Sequence, residues 1–397
     1  MMMFFKQKRL WLALAGVLMV LMVFGAAMMG SVLGAKPQEL PVAIVVLDQP
    51  AALPDGSAFA AGELIRGKLT GLVQLPLSWS TVATEAEARV GLDERRYYGA
   101  LVLPADLSSG LLSLASPAPQ PPQVRILVNE GMNAQAAAVV KQALDQALQA
   151  VKLELGKQLL GQIGQRTQQV PVTAAQALLA PIEVLYETAH PAGANQASGN
   201  APGLLTQLMW ISSLVAALLL MLVGGQALKA GAKRAEVVVG QAITGVAAAG
   251  AAAAFIVWMA TAWYGMELHQ AGKVWLTLWL VGATFFLLQS ALLNWIGLPA
   301  MGLLVLLMFF SMPLLNMAPE FLGAAAHDWI YAWTPLRFAS GALRGTLYFG
   351  GLEAARGEAG VLWATGGAFA LLLLAASLKR GEMAGVTRPA AAEGAEK

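Results

Sequence analysis

Five long runs without a charged residue constrain this chain more than any other feature. A helix needs about 20 consecutive apolar residues to cross a bilayer. The fourth run is long enough for two crossings, and all five are continuous rather than alternating, which favours helices over barrel strands. The runs cover residues 10–35, 201–228, 237–266, 274–319 and 359–378. They predict an α-helical integral membrane protein with six transmembrane helices, at about 10–33, 205–228, 237–264, 274–295, 298–317 and 359–378.

The division of the fourth run rests on Gly297 and Pro299, which together break a helix. Pro299 suits the first turn of the next helix, where its missing N–H is of little consequence. We expect Pro313 to kink or end that helix. The alternative is one long kinked helix and five spans in all.

The composition excludes several classes of protein. Only 12% of the residues are charged and 57% are hydrophobic, whereas soluble proteins carry about 25% charged residues. This excludes a soluble globular protein, a nucleic-acid-binding protein and a disordered chain. The absence of Cys excludes disulfides, thiol nucleophiles and Cys-ligated metal sites. Because the predicted spans contain no charged residue, a proton- or ion-driven pump is disfavoured unless polar groups such as Gln226, Gln241 and Gln289 suffice. Energy for transport should then come from another chain.

Basic residues predict the orientation. With six spans, three basic groups fall on one side, which the positive-inside rule assigns to the cytoplasm. The sequence therefore predicts a multi-pass plasma-membrane protein with both termini in the cytoplasm. The first span exceeds the 7–15 apolar residues of a secretory signal, so we expect an uncleaved signal anchor. The three groups are Lys6, Lys8 and Arg9; Lys229, Lys233 and Arg234; and the tail, residues 379–397.

The segment after the first span has the pattern of an α/β domain. Apolar strands alternate with helices, and a linker rich in Pro, Gly and Asn follows at 190–203. Strands are predicted at 41–47, 75–82, 97–103 and 124–128, and helices at 57–72, 84–92, from 104 onward, at 133–164 and at 173–189. The predicted organisation is a cytoplasmic segment 1–9, helix 10–34, extracytoplasmic α/β domain and linker 35–203, five-helix domain 204–378 and tail 379–397.

The segment 320–358 between the last two spans has amphipathic character. Arg337 and Arg344 are seven residues apart, which predicts that they share one helix face. Phe338, Leu343 and Leu347 supply apolar contacts. This pattern fits a helix at the outer membrane surface or dipping into it. A packed helical loop with solvated arginines is an equal alternative.

Small residues give the third span a surface for close helix packing, at Gly240, Gly245 and Gly250. The pattern fits packing within one chain and a dimer seam equally well.

The sequence offers no constellation for catalysis or cofactor binding. Residues 62–69 have the Gly and Lys spacing of a phosphate-binding loop, but Leu69 replaces the required Ser or Thr. The histidines, His190, His269 and His327, have no metal-ligand spacing. We therefore expect no catalytic residue, no metal and no cofactor in this chain.

Four blocks of sequence resemble a known family. The chain resembles the type-2 ABC exporter permeases, and more closely their YhgE/Pip (phage infection protein) branch, although it lacks the coiled-coil insertion of the long members. The blocks are residues 40–48, 97–107, 128–133 and 334–344. The matching motif positions are Asp48, Tyr97, Tyr98, Gly99, Pro104, Asn129 and Asn133.

The resemblance implies the membrane subunit of an ATP-driven exporter, for which we expect an apolar or amphipathic substrate. Such permeases pair as homodimers or with a related permease, contact membrane lipid, and dock on a separate ABC ATPase that hydrolyses ATP. The implied ATPase-coupling candidates are Lys6, Lys8, Arg9, Lys229, Lys233 and Arg234. The alternatives are that these residues only determine topology, and that the chain is a non-transporting receptor or secretion scaffold acting through its external domain.

Overall fold

The computed structural model describes residues 37–53, 57–72, 74–114, 116, 118–166, 172–324 and 327–378, with residues 19 and 22. The predicted segment 1–9 and the tail 379–397 lie outside this range, as does the first predicted span apart from residues 19 and 22.

The described part of the N-terminal α/β region contains seven strands. They are β1 (Leu40–Val46), β2 (Ala51–Ala52), β3 (Ala58–Phe59), β4 (Leu77–Val82), β5 (Gly99–Leu103), β6 (Gln123–Asn129) and β7 (Glu183–Ala189). Five of them form a sheet in the order β4-β1-β5-β6-β7, and β2 pairs with β3. Strand β1 is parallel to both β4 and β5, β6 is antiparallel to β5, and β7 is parallel to β6.

Helices cover both faces of this sheet. They are α1 (Ala61–Thr70), α2 (Glu85–Asp93), α3 (Leu107–Ser113), α4 (Ala134–Arg166) and α5 (Val172–Leu179). Alternate residues of β1 enter two separate buried clusters, Val42 and Ile44 in one and Ala43 and Val45 in the other. Burial on both faces explains why the central strands are continuous apolar runs.

The predicted helix at 173–189 is wrong in its second half. Helix α5 ends at Leu179, and residues 183–189 form the edge strand β7. The side chains of Val184, Tyr186 and Thr188 are of types that favour a strand. Pairing with β6, from Gln123 opposite Glu183 onward, supplies the hydrogen bonds that decide the conformation.

Within the described residues, five further helices are long and apolar enough to cross a membrane. They are α6 (Ala201–Lys229), α7 (Arg234–Ala262), α8 (Ala271–Ile296), α9 (Pro299–Asn316) and α11 (Arg356–Ala375), with α10 (Pro335–Tyr348) between the last two. Helix α8 is the centre of this bundle. In its apolar 18-residue stretch 67% is buried, against at most 33% in the corresponding stretches of the other four helices. The outer helices expose large apolar side chains such as Ile243, Leu303 and Leu371, as a lipid-facing surface would.

Residues 271–316 form two helices rather than one kinked helix. Gly297 ends α8 with a φ of +82°, a left-handed conformation that favours glycine, and Pro299 opens α9. Pro313 lies in the last turn of α9.

Two of the three glycines in α7 pack within the chain. A Cβ at Gly245 would lie 1.9 Å from the ring of Phe286, and one at Gly250 would lie 3.1 Å from the indole of Trp279. Both aromatic residues belong to α8. A Cβ at Gly240 would meet no described atom within 4 Å. The small-residue surface therefore serves the α7–α8 contact at two of its positions.

The segment 320–358 is a packed structure. It begins with a 3₁₀ turn at Pro319–Phe321, continues through a π-helical turn at His327–Tyr331, and then forms α10. Leu336, Ala339 and Leu343 of α10 are fully buried in the core of the bundle. Helix α10 therefore packs against α6, α8, α9 and α11.

Candidate functional site: a cavity at the junction

The α/β region joins the bundle through the chain that follows α9. Ala318 and Phe321 are buried in the same apolar cluster as the sheet face of β1 and the inner face of α4. Pro319 starts the 3₁₀ turn that carries them there. We call this contact zone, formed by residues 93–98, 131–133 and 190 with residues 316–321 and 344–358, the junction.

Two motif residues of the α/β region hydrogen-bond across the junction. The Tyr98 hydroxyl donates to Oε2 of Glu320 at 2.7 Å. Nδ2 of Asn133 donates to the carbonyl of Asn316 at 3.1 Å, while its Oδ1 accepts from the N–H of Ala136 at 2.9 Å. Asn133 thus caps α4 and holds the end of α9 with the same amide.

Arg95 and His190 add polar contacts that the sequence analysis did not single out. Nη1 of Arg95 lies 2.9 Å from Oε1 of Glu358, and Nη2 donates to the carbonyl of Ala354 at 2.8 Å. The two ring nitrogens of His190 lie 2.9 Å from the carbonyl of Tyr348 and 2.9 Å from a carboxylate oxygen of Asp93. Arg95 sits in a short charged run that is typical of a solvated surface, so its sequence context carries no signal of this role.

A cavity of about 540 Å³ opens at the junction. Its walls combine three carboxylates, three guanidinium groups and two phenols with an apolar floor at the end of α9. The lining residues are Glu94, Arg95, Tyr98, Met132, Leu314, Leu315, Met317, Pro319, Glu320, His327, Tyr331, Arg337, Phe338, Ser340, Gly341, Arg344 and Glu358. A site of this size can hold a small ligand.

Arg337 and Arg344 both line this cavity, in agreement with the predicted shared face. The Arg337 guanidinium lies 4.6 Å from the ring centre of Tyr331 and 4.5 Å from that of Phe338. Arg344 makes no hydrogen bond or ion pair within the described part of the chain, and its buried Nε has no partner. Burial lowers the pKa of Arg344, because the charged guanidinium is desolvated.

The phenols beside these arginines are held in their protonated forms. Burial raises the pKa of Tyr98 above its usual value, and the charge of Glu320 and its hydrogen bond act in the same direction. Burial likewise raises the pKa of Tyr331 and brings that of Tyr348 to about 12. Tyr98 is therefore a stable hydrogen-bond donor to Glu320 at neutral pH.

Asp48 belongs to the frame of the α/β region. Its carboxylate accepts from the N–H of Gly62 at 2.7 Å, from the N–H of Ser108 at 2.8 Å and from the Ser108 hydroxyl at 2.6 Å. It thus neutralises the positive ends of α1 and α3 together. The phosphate-loop-like residues 62–69 lie inside α1, so they form no loop.

The other motif positions also act within the α/β region. Nδ2 of Asn129 donates to the carbonyls of Leu92 and Tyr97, at 2.8 and 3.2 Å. A Cβ at Gly99 would lie 2.8 Å from the carbonyl oxygen of Leu127 on β6, so glycine permits this strand pairing. Pro104 lies in the turn before α3, where its carbonyl accepts from the N–H of Leu107.

Three of the coupling candidates, Lys229, Lys233 and Arg234, lie at the other end of the bundle, which we call the basic end. Helix α6 starts beside the junction and runs for 29 residues, about 43 Å at 1.5 Å per residue, before ending at Lys229. Lys229 and Lys233 are exposed, and Nε of Arg234 donates to the carbonyl of Ala376 at 2.9 Å. Lys6, Lys8 and Arg9 lie outside the described residues.

Polar side chains inside the bundle serve helix packing. Nε2 of Gln241 donates to the carbonyl of Leu220 at 3.0 Å, and Nε2 of Gln289 to that of Trp210 at 3.2 Å. In the described ranges, no three His, Asp or Glu side chains are grouped as metal ligands.

Comparison with known proteins gives a match along almost the whole chain. The family described as "ABC-2 family transporter protein" matches residues 8–375. A solved structure described as a "domain of a putative ABC type-2 transporter from Thermotoga maritima MSB8" is 20% identical and covers 37% of this chain and 84% of its own, at a TM-score of 0.28. That TM-score is too low for the likeness to bear on the fold. A search of curated proteins found no match.

Proposed function

The chain belongs to the ABC-2 transporter family, and from that premise we propose that it is the permease subunit of an ATP-driven exporter. A separate ABC ATPase hydrolyses ATP, and the exported substrate is apolar or amphipathic. The observation that carries the proposal is the family match, which spans both the α/β region and all five candidate membrane helices. The match favours a membrane permease over a non-transporting receptor or scaffold.

In this proposal the basic end faces the cytoplasm and the α/β region lies outside the plasma membrane. Its support is the clustering of Lys229, Lys233 and Arg234 at the end of the bundle remote from the junction. A sixth span at 10–34 places the segment 1–9 on the same side, with the tail 379–397. The α/β domain then occupies 35–203 and the five-helix permease domain 204–378.

The ATPase docks on the basic end and on Lys6, Lys8 and Arg9. Lys229 and Lys233 support this proposal because both are exposed at the turn between α6 and α7, where a soluble subunit reaches them.

The permease forms a dimer, with a second copy or with a related permease. The open surface at Gly240 and the exposed apolar faces of the outer helices leave room for that contact and for lipid. The motif positions from Asp48 to Asn133 support placement in the YhgE/Pip branch.

The experiment is reconstitution with the ABC ATPase encoded beside the gene. We expect the two proteins to co-purify and ATP hydrolysis to rise above that of the ATPase alone. The variant Lys229→Glu with Lys233→Glu should weaken the complex about tenfold, or by about 1.4 kcal/mol, because it reverses two exposed charges. The matched control reverses two lysines on α4, Lys152→Glu with Lys157→Glu, and should leave the complex intact.

Transport is measured with a fluorescent phospholipid in the same proteoliposomes, as an ATP-dependent movement between leaflets or into the medium. Failure of the wild-type chain to bind the neighbouring ATPase, together with unchanged efflux on deletion of the gene, would overturn the proposed function. Equal loss of binding in the α4 control would overturn the assignment of the docking surface.

A further inference from the structure

One face of α10 directs a row of hydrogen-bond donors into the junction cavity. Arg337, Ser340 and Arg344 are spaced three and four residues apart, so they lie along one side of the helix, and all three line the cavity. Ser340 is 2% exposed and its hydroxyl has no partner within the described residues. The Nε of Arg344 is buried and unpartnered in the same way.

Within the described residues, no carboxylate of the cavity forms an ion pair with Arg337 or Arg344, and each carboxylate has a different partner. Glu358 pairs with Arg95 at 2.9 Å, and Glu94 pairs with Arg96 at 2.8 Å. Glu320 accepts the hydrogen bond from Tyr98 at 2.7 Å. The imidazole of His327, which also lines the wall, contacts Asp328 at 2.8 Å.

Arg337 and Arg344 therefore bring two positive charges to the cavity with no carboxylate partner in the described residues. A desolvated guanidinium and a buried hydroxyl without partners are both unfavourable, and an anion placed between them would satisfy both. Arginine is suited to this role, because its planar fork matches the oxygens of phosphate and carboxylate.

The floor of the cavity at the end of α9 is apolar. Leu314, Leu315 and Met317 lie at the end of the candidate membrane helix α9. Such a lining suits an apolar group better than a free ion. A volume of about 540 Å³ greatly exceeds the roughly 30 Å³ of one water molecule, so the cavity has room for both a head group and part of a chain.

We infer that this cavity binds an anionic amphiphile, with its phosphate or carboxylate head on Arg337, Ser340 and Arg344 and its apolar part against the end of α9. The inference concerns binding alone and does not depend on transport or on an ATPase. It is therefore tested on the isolated full-length chain.

The test is titration of the full-length chain in phosphatidylcholine nanodiscs with four probes: dihexanoyl phosphatidic acid, dihexanoyl phosphatidylcholine, decanoate and inorganic phosphate. Phosphatidic acid and decanoate should each bind at least tenfold more tightly than the other two. Equal binding of the zwitterionic phosphatidylcholine would overturn the anion site. Equal binding of inorganic phosphate would overturn the amphiphile as its occupant and indicate a site for the free ion.

Three variants locate the site. Arg344→Gln should weaken phosphatidic acid binding at least tenfold, and Arg344→Lys should give an intermediate loss because it keeps the charge without the fork. Arg356→Gln is the matched control, since Arg356 is exposed and pairs with Glu353 outside the cavity. Unchanged affinity in Arg344→Gln would contradict the inference.

Stability without ligand separates binding from folding. Removing an unpaired buried charge should leave the unfolding temperature of Arg344→Gln equal to or above that of the wild type. The wild type should gain unfolding temperature on adding phosphatidic acid, whereas Arg344→Gln should not. A gain of equal size in both would place the lipid elsewhere on the chain and overturn the inference.

Discussion

The two ends of the helix bundle use charged residues in opposite ways. At the junction, Arg95 and Glu358 have side chains only 24% and 25% exposed, and each has specific partners on another element. At the basic end, the Lys233 side chain is 84% exposed and its nearest carboxylate, Glu236, is 3.9 Å away. A charge of the first kind holds two parts of the molecule together, whereas one of the second kind is available to the solvent or to another protein.

This difference separates stability from recognition. Removing one member of a partly buried ion pair strongly lowers the free energy of unfolding, because the other member is left desolvated and unpaired. Exposed pairs contribute at most about 1 kcal/mol. Substitutions of the paired residues at the junction should therefore lower stability, whereas substitutions of the exposed lysines at the basic end should change mainly interactions with other molecules.

The largest effect is expected from Gly131→Ala at the junction. A Cβ at this position would lie 2.8 Å from the Cβ atoms of both His190 and Tyr348, and neither atom can move without its backbone. We expect a loss of about 2–3 kcal/mol from overpacking, seen as faster hydrogen–deuterium exchange in α10 and residues 317–321. The control is Gly240→Ala in α7, where a Cβ meets open space. Exchange equally slow in both variants would mean that the junction is not tightly packed.

Arg95→Ala should have the next largest effect. It removes the pair with Glu358 and the hydrogen bond to Ala354. We expect a loss of about 2 kcal/mol in the free energy of unfolding, below the value for a fully buried pair because both side chains are partly exposed. Arg356→Ala removes an exposed pair with Glu353 and should cost less than about 0.5 kcal/mol.

A charge swap checks this result. Arg95→Glu combined with Glu358→Arg should recover part of the stability that either single variant loses, if the two groups contact each other as described. Strictly additive losses would show that Arg95 acts through other neighbours.

Tyr98→Phe should cost about 1 kcal/mol, because it leaves Glu320 without its donor. It should also change the response to alkaline pH. Tyr98 keeps its proton in the folded protein, whereas tyrosine in the unfolded chain ionises near pH 10. The contribution of protonated Tyr98 to the free energy of unfolding is therefore fully present below about pH 10. It falls as the pH rises further, by about 1.4 kcal/mol per pH unit for each such group.

Thermal unfolding between pH 8 and 11 measures this dependence. The decline above pH 10 should be shallower in Tyr98→Phe than in the wild type. Burial raises the pKa of Tyr348 to about 12, so part of the decline should remain. Parallel declines in unfolding temperature for the two proteins would indicate that Tyr98 has the same pKa in the folded and the unfolded chain.

The sequence predicted those features that depend on nearby residues. An apolar run of twenty residues admits little but a helix in a membrane, which is why α6 to α9 and α11 lie where the runs are. Helical periodicity alone placed Arg337 and Arg344 on one face. The strands β1 and β5 were visible as short apolar runs because both of their faces are buried.

Features that depend on distant residues were not predictable. Arg95 and Glu358 are 263 positions apart, and neither sits in a pattern that indicates a partner. Strand β7 takes its conformation from pairing with β6, about 60 residues earlier. The role of Asp48 required knowing that the N-termini of α1 and α3 meet at the end of β1.

The smallest effects are expected at the basic end, and they distinguish its members from one another. Arg234→Ala removes the hydrogen bond from Nε to the carbonyl of Ala376, which ties the start of α7 to the end of α11, and should cost about 0.5 kcal/mol. Lys233→Ala should change stability by less than about 0.3 kcal/mol, because its side chain is exposed and its only ion pair in the described residues spans 3.9 Å. Chemical unfolding of the two variants in one detergent compares them directly. A residue that is free to recognise another protein should contribute little to the stability of its own fold. A larger loss of unfolding free energy for Lys233→Ala than for Arg234→Ala would therefore show that the exposed lysine is structural. The contrast between the two ends of the bundle would then fail.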